Sequence, residues 1–139
     1  MNRGYRFFDH TADFGIEIFG DDAHHLFEEA AGALFDLIAG SGTVARGHQR
    51  TLEVSGQDWA DLMVNWLREL LYLWNGESQL VRGVELLSLE KTRLHATVTS
   101  EDYDPQRHEI RNEIKAVTYH QIQVGPFEDG WRARVILDI

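Results

Sequence analysis

Apolar and polar residues alternate along Phe14–Gly15–Ile16–Glu17–Ile18–Phe19, which puts Phe14, Ile16 and Ile18 on one face of a strand ended by Gly20. Tyr5 to Phe8 reads as a shorter aromatic strand before it. The period then changes. Leu26, Phe27, Ala30, Ala31, Leu34, Leu37 and Ile38 recur at the spacing of one helix face. Asp21 or Asp22 can cap the start of that helix, and Gly40 can close its end. Thr51 to Ser55 returns to strand, and Gly56 with Asp58 introduces a second helix. Its buried stripe is Leu62, Met63, Trp66, Leu67, Leu70 and Leu71 with Trp74 beyond, and Asn75–Gly76 is expected to end it.

The remainder reads as β. Val81 to Glu90 and Leu94 to Val98 form a pair turning at Lys91–Thr92, with Leu94, Ala96 and Val98 on one face. Glu101 to Asn112 is polar, contains Pro105 and His108, and reads as a loop. Ile114 to Phe127 reads as one long strand whose apolar phase shifts partway, as at a bulge. Asp129–Gly130 signals a hairpin into a last strand, where Trp131, Ala133, Val135 and Leu137 face the core. The order β-β-α-β-α-β-β-β-β predicts an α+β fold with two helices packed on mostly antiparallel sheet. At 139 residues, with neither linker nor repeat, a single domain over 1–139 is expected.

Charge narrows the possible partners. A net charge of −10 argues against strong direct binding of nucleic acid, which needs a basic surface, and suits cations or a basic protein instead. The absence of cysteine excludes disulfides, thiolate zinc sites and cysteine nucleophiles. No apolar run is long enough to span a bilayer, and Met1–Asn2–Arg3–Gly4–Tyr5 lacks the core of a signal peptide, so a cytoplasmic protein is expected.

Three places could carry chemistry. Asp9–His10–Thr11–Ala12–Asp13 joins two strands and is either a polar turn or a metal or acid–base cluster. The last strand runs into Asp138–Ile139, where a side-chain carboxylate and the α-carboxylate would be neighbours needing solvent or a divalent cation. If the two ends of the chain meet, they build an acidic pocket. Lys115–Ala116–Val117–Thr118–Tyr119–His120 is the third. Lys115 shares parity with Val117 and Tyr119, and either keeps its ammonium in water at a strand end or pairs with carboxylates or phosphate. His108 lies in the polar loop near Asp102, Asp104 and Glu109, and His24–His25 is expected to be exposed early in the first helix. No zinc-protease, phosphate-loop, dinucleotide or serine-hydrolase motif is present.

Asp9–His10–Thr11–Ala12–Asp13–Phe14–Gly15–Ile16, Lys115–Ala116–Val117–Thr118–Tyr119–His120 and the terminal Leu137–Asp138–Ile139, in that order and spacing, resemble the archease family. The helix segment Ala30–Ala31–Gly32–Ala33–Leu34–Phe35 fits as well, so the resemblance spans essentially the whole chain. The resemblance implies a protein cofactor, not itself an enzyme, for the RNA ligase of the RtcB type. That ligase joins RNA ends in tRNA splicing and RNA repair with GTP and a divalent metal, and archeases promote its guanylylation and repeated turnover. The resemblance further implies a metal site at Asp13, Asp138 and Ile139 and a functional role for Lys115, with Asp9 a weaker candidate than Asp13. An oxygen-only donor set favours Ca²⁺, Mg²⁺ or Mn²⁺ over zinc. His10, His120 and His108 are further candidate functional residues. Two other classes stay open: a metal-dependent nucleotide or phosphoester hydrolase, with Asp13 holding the metal and His10 or His120 as base, and a chaperone-like protein-binding module.

Overall fold

The computed structural model describes residues 4–10, 13–40 and 47–139. Met1–Asn2–Arg3, the Thr11–Ala12 step of the first acidic segment and the side chain of His10 lie outside the described residues. The elements run β1 (Gly4–His10), β2 (Asp13–Gly20), α1 (Ala23–Ala39), β3 (His48–Ser55), α2 (Trp59–Glu77), β4 (Gln79–Glu90), β5 (Arg93–Asp102), β6 (Ala116–Val117), β7 (Gln123–Phe127) and β8 (Gly130–Asp138). Among the described residues they form an α+β fold with two sheets, every pairing antiparallel. One sheet has the order β1-β2-β8-β6, with β7 also on β8, and the other has the order β3-β5-β4. β8 pairs with β2 along one edge and with both β6 and β7 along the other, so the last strand sits inside its sheet.

The helices form where the 3.6-residue period is carried by good helix formers between side-chain caps. The Asp22 carboxylate accepts from the His25 N–H and the Asp58 carboxylate from the Asp61 N–H, each satisfying a donor left open by the first turn. Both apolar stripes are buried as the pattern predicts, and they meet around the fully buried Trp66, whose indole N–H donates to the Phe27 carbonyl at 2.9 Å. No helix among the described residues is long and apolar enough to cross a membrane.

Three expectations about element boundaries change. The long strand over Ile114–Phe127 is two strands, β6 and β7, separated by a turn. The Ile122 N–H bonds the Tyr119 carbonyl, Thr118 Oγ1 accepts from the His120 N–H, and Gln121 takes φ 51°, so the shift of apolar phase marks a turn and not a bulge. Asn75–Gly76 does not end α2. The helix runs to Glu77 and is closed by Ser78 in the left-handed conformation, its N–H on the Leu73 and Trp74 carbonyls. β5 continues through Asp102, so Glu101 belongs to a strand and is buried.

The hairpin into β8 turns at Glu128–Asp129, between the paired Phe127 and Gly130. Gly130 is needed for a close approach: a Cβ there would stand 2.4 Å from the Gly20 carbonyl oxygen, main chain that cannot swing aside. Gly130→Ala is expected to lower stability by about 1–3 kcal/mol, the usual range for overpacking. Urea denaturation with an unchanged m-value checks this.

Candidate functional site

β1 and β2 form a hairpin in which His10 opposes Asp13, and β2 then runs antiparallel to β8 with Phe14 opposite Leu137. Asp13 and Asp138 are the next residues beyond that pair, so continuing the register by one step would set them opposite each other. Phe14 and Leu137 point to the helices, with Leu137 fully buried, so alternation turns Asp13 and Asp138 to the opposite face. Both aspartates are partly buried, and Ile139 is exposed. Directly opposed positions have Cβ atoms about 5 Å apart, and like charges there are destabilising. The sheet therefore brings two carboxylates to one end, where oxygen donors of both could reach a shared cation. Among the described residues no three His, Cys, Asp or Glu side chains cluster to hold a metal, so a cation at this end would also use main-chain oxygens or water.

β6 brings Lys115 to the same end. Ala116 pairs with Asp138, and the Lys115 N–H donates to the Asp138 carbonyl at 2.7 Å. The Lys115 side chain is exposed. The sequence motifs near the start, near residue 115 and at the end of the chain are thus adjacent on three neighbouring strands. The main chain of His10 is there too, through its pairing with Asp13. Asp9 is exposed and opposes Phe14.

The other two histidines are placed differently. His120 is exposed in the turn beyond β6, four residues past Ala116, with its N–H on Thr118 Oγ1. Because β6 runs antiparallel to β8, that direction leads away from Asp138. His108 is drawn into packing. Its Nδ1 accepts the Asp104 N–H at 2.9 Å, so the ring proton sits on Nε2, which faces Glu101 Oε1 at 3.1 Å, and the ring stacks on Tyr103. With Nδ1 accepting a main-chain N–H and Nε2 buried against Glu101, His108 holds the loop in place and presents no exposed nitrogen to a ligand. His24 is exposed as expected, whereas the partly buried His25 accepts the Asp21 N–H on Nδ1.

Glu101 is the residue that pattern reading misses. Its side chain is 3% exposed, with Arg82 at 2.9 Å, Arg107 at 3.1 Å and His108 at 3.1 Å. Burial pushes its carboxyl up, but the Arg82 and His108 contacts outweigh this and hold it below the usual glutamate range. Nothing local marks it, since its partners come from β4 and from the following loop. A separate groove of about 320 Å³ runs beside α1, lined by Tyr5, Glu28, Glu29 and Asp36 among others. Burial and the hydrogen bond from its hydroxyl to Asp36 push the Tyr5 phenol up to about 12 and keep it a donor. None of the residues expected to act lies in that groove.

Comparison with known proteins agrees with this architecture. The model of the Archease protein family matches residues 5–139. The chain is 39% identical over 137 residues to the protein archease of Pyrococcus abyssi, covering 95% of this chain and 96% of that protein. It is 37% identical over 142 residues to the protein archease of Pyrococcus furiosus, covering 99% of each. The solution structure of Methanobacterium thermoautotrophicum protein 1598 superposes with a TM-score of 0.76 at 32% identity, over 98% of this chain and 99% of that one. A Thermotoga maritima crystal structure, described as an archease and possible chaperone, shares the fold with a TM-score of 0.67 at 23% identity, over 95% of this chain and 94% of that one.

Proposed function

The chain belongs to the archease family, and from that membership we propose that it is a protein activator of an RNA ligase of the RtcB type. In this reading it promotes guanylylation and repeated turnover of the ligase in tRNA splicing and RNA repair, and acts in the cytoplasm. The observation that supports the reading is the pairing of Phe14 with Leu137, which brings Asp13 and Asp138 to the same end of β2 and β8, with the Lys115 main chain bonded to Asp138. Asp13, Asp138 and oxygens of Ile139 would hold a divalent cation. An oxygen donor set built on two carboxylates suits Ca²⁺, Mg²⁺ or Mn²⁺. When bound, the cation would supply Lewis-acid charge for phosphate groups. Lys115, exposed beside it, would add a mobile positive charge at the same tip. The net charge of −10 favours encounter with a ligase cleft made basic to hold RNA and GTP. A hydrolase of its own would need a base beside the metal; the turn carries His120 away from Asp138, which leaves His10, whose main chain pairs with Asp13, as the base that such a reading would need.

A guanylylation assay of the ligase with and without the protein tests the reading directly. Lys115→Ala is expected to lower activation at least tenfold while changing stability by less than about 0.5 kcal/mol, as for an exposed side chain. Normal activation by this variant would leave Lys115 as a solvated strand-end lysine and remove it from the proposed site.

A further inference from the structure

The segment carrying Lys115 is almost without sheet support, since β6 is only Ala116–Val117. It rests instead on one side of α2. The Asn75 Nδ2 donates to the Ile114 carbonyl at 3.0 Å, and the Arg68 Nε donates to the Val117 carbonyl at 3.0 Å. The Tyr119 hydroxyl donates to Asp61 at 2.6 Å, and the Arg68 guanidinium lies 4.7 Å from the centre of the Tyr119 ring. Tyr119, then the Gln57 N–H, holds the Asp61 carboxyl below the usual range, so the contact is made to the ionised group.

Asp61, Arg68 and Asn75 are spaced by seven residues, so they lie on one stripe of the helix. Seven residues of α-helix rise about 10.5 Å. The three contacts fall on residues 114, 117 and 119 in the order opposite to that of α2, so the segment runs antiparallel along this stripe, with Asn75 and Arg68 each on a carbonyl and Asp61 on the Tyr119 hydroxyl. Lys115 lies between the two gripped carbonyls, and its own N–H is held by Asp138.

We propose that Asp61, Arg68 and Asn75 form a rail on α2 that positions Lys115 against the Asp13–Asp138 end, with Asn75 and Arg68 as the positioning residues. None of the three is a metal ligand or phosphate contact in this scheme; each acts through Lys115. The inference rests on the role given to Lys115 above and adds how that role is achieved. It explains why a helix surface otherwise open to solvent commits two side chains to main-chain carbonyls of a distant segment. A carbonyl in a ladder needs no such donor, but those of Ile114 and Val117 border a strand two residues long.

The test is a double-mutant cycle with an exchange measurement on the full chain. Asn75→Asp keeps shape and removes the donor; Arg68→Met keeps an unbranched apolar side chain and removes the guanidinium, with both its bond to Val117 and its contact with Tyr119. Each is expected to lower ligase activation about tenfold and to speed exchange of the Lys115 amide by a similar factor, while the Val135 amide in β8 exchanges as before. In a Lys115→Ala background neither should cause any further loss, because a residue acting through Lys115 has nothing left to position. Additive loss in that background, or unchanged Lys115 exchange in both variants, overturns the rail while leaving the role of Lys115 intact. Full activation by Lys115→Ala alone overturns the role of Lys115, and the rail's positioning function with it.

Discussion

Asp13→Ala/Asp138→Ala is expected to abolish divalent binding and ligase activation together, with no loss of fold. Removing outer-shell partners of a metal costs about 10–100-fold in affinity, so removing two anionic ligands should cost more than about 100-fold. The size of the stability change separates this from damage to the fold. Both side chains stand at the end of the sheet next to the Phe14–Leu137 pair, and a cross-strand charge interaction there is worth about 0.2–1 kcal/mol. The metal-free double variant should therefore stay within about 1 kcal/mol of the parent. Metal should raise the melting temperature of the parent alone, since only a folded state that binds it gains by mass action. Calorimetry with Ca²⁺, Mg²⁺ and Mn²⁺, and melts with and without chelator, check both halves. Equal metal affinity in parent and variant would remove this end of the sheet as the metal site.

Glu101→Ala is expected to produce the largest loss of stability among these variants, about 3–5 kcal/mol, because it strands a buried charge. Arg82, whose side chain is 7% exposed, would lose its carboxylate and keep only the Gly40 carbonyl at 2.8 Å. That bond ties β4 to the end of α1, and the Arg111 N–H and Asn112 side chain tie the following loop to Ile38 and Leu37. Losing Glu101 therefore loosens the stretch that leads from β5 to Lys115. The pH dependence follows from the same carboxyl. Its folded-state pKa is lowered, so the unfolded chain binds its proton more readily. Its contribution is complete above the ordinary glutamate pKa of about 4.3 and is lost as pH falls through the lower folded value. Urea denaturation of parent and Glu101→Ala at neutral pH and in acid should converge as the pH drops. A constant gap across that range would show that packing, and not the charge, carries the effect.

Element type was legible wherever one period ran unbroken. The stripes of α1 and α2 and the alternation of β2, β5 and β8 are local consequences of which residues must leave water, and all five elements form over the residues the pattern marks, with α2 running on to Glu77 and β5 to Asp102. The same patterns could not place the strand boundaries near residue 120. There the shift of apolar phase has two physical causes, a bulge or a turn, and the Tyr119–Ile122 bond decides for the turn. Nor could they separate His108 from a functional histidine, because the acceptor that fixes its ring and the carboxylate facing it become neighbours only when the loop folds back on β5.

For the candidate site, the sequence by itself determined the residue types: hard oxygen donors, no sulfur, and a lysine at the start of a strand segment. Asp61, Arg68 and Asn75 stand at a seven-residue interval on α2, but no pattern in the sequence sets them apart from an ordinary solvated face until a distant segment is laid across them. The tertiary structure alone decided that residues 13, 115 and 138 share one end of one sheet. Strand order is long-range information. β8 could have joined either sheet or lain at an edge, and the alternation of Trp131 to Leu137 would read the same in each case. The placement of β8 between β2 and β6 is set by burial of Ala133, Val135 and Leu137 in the core beside α1 and by pairing with β2, whose residues lie more than a hundred positions away.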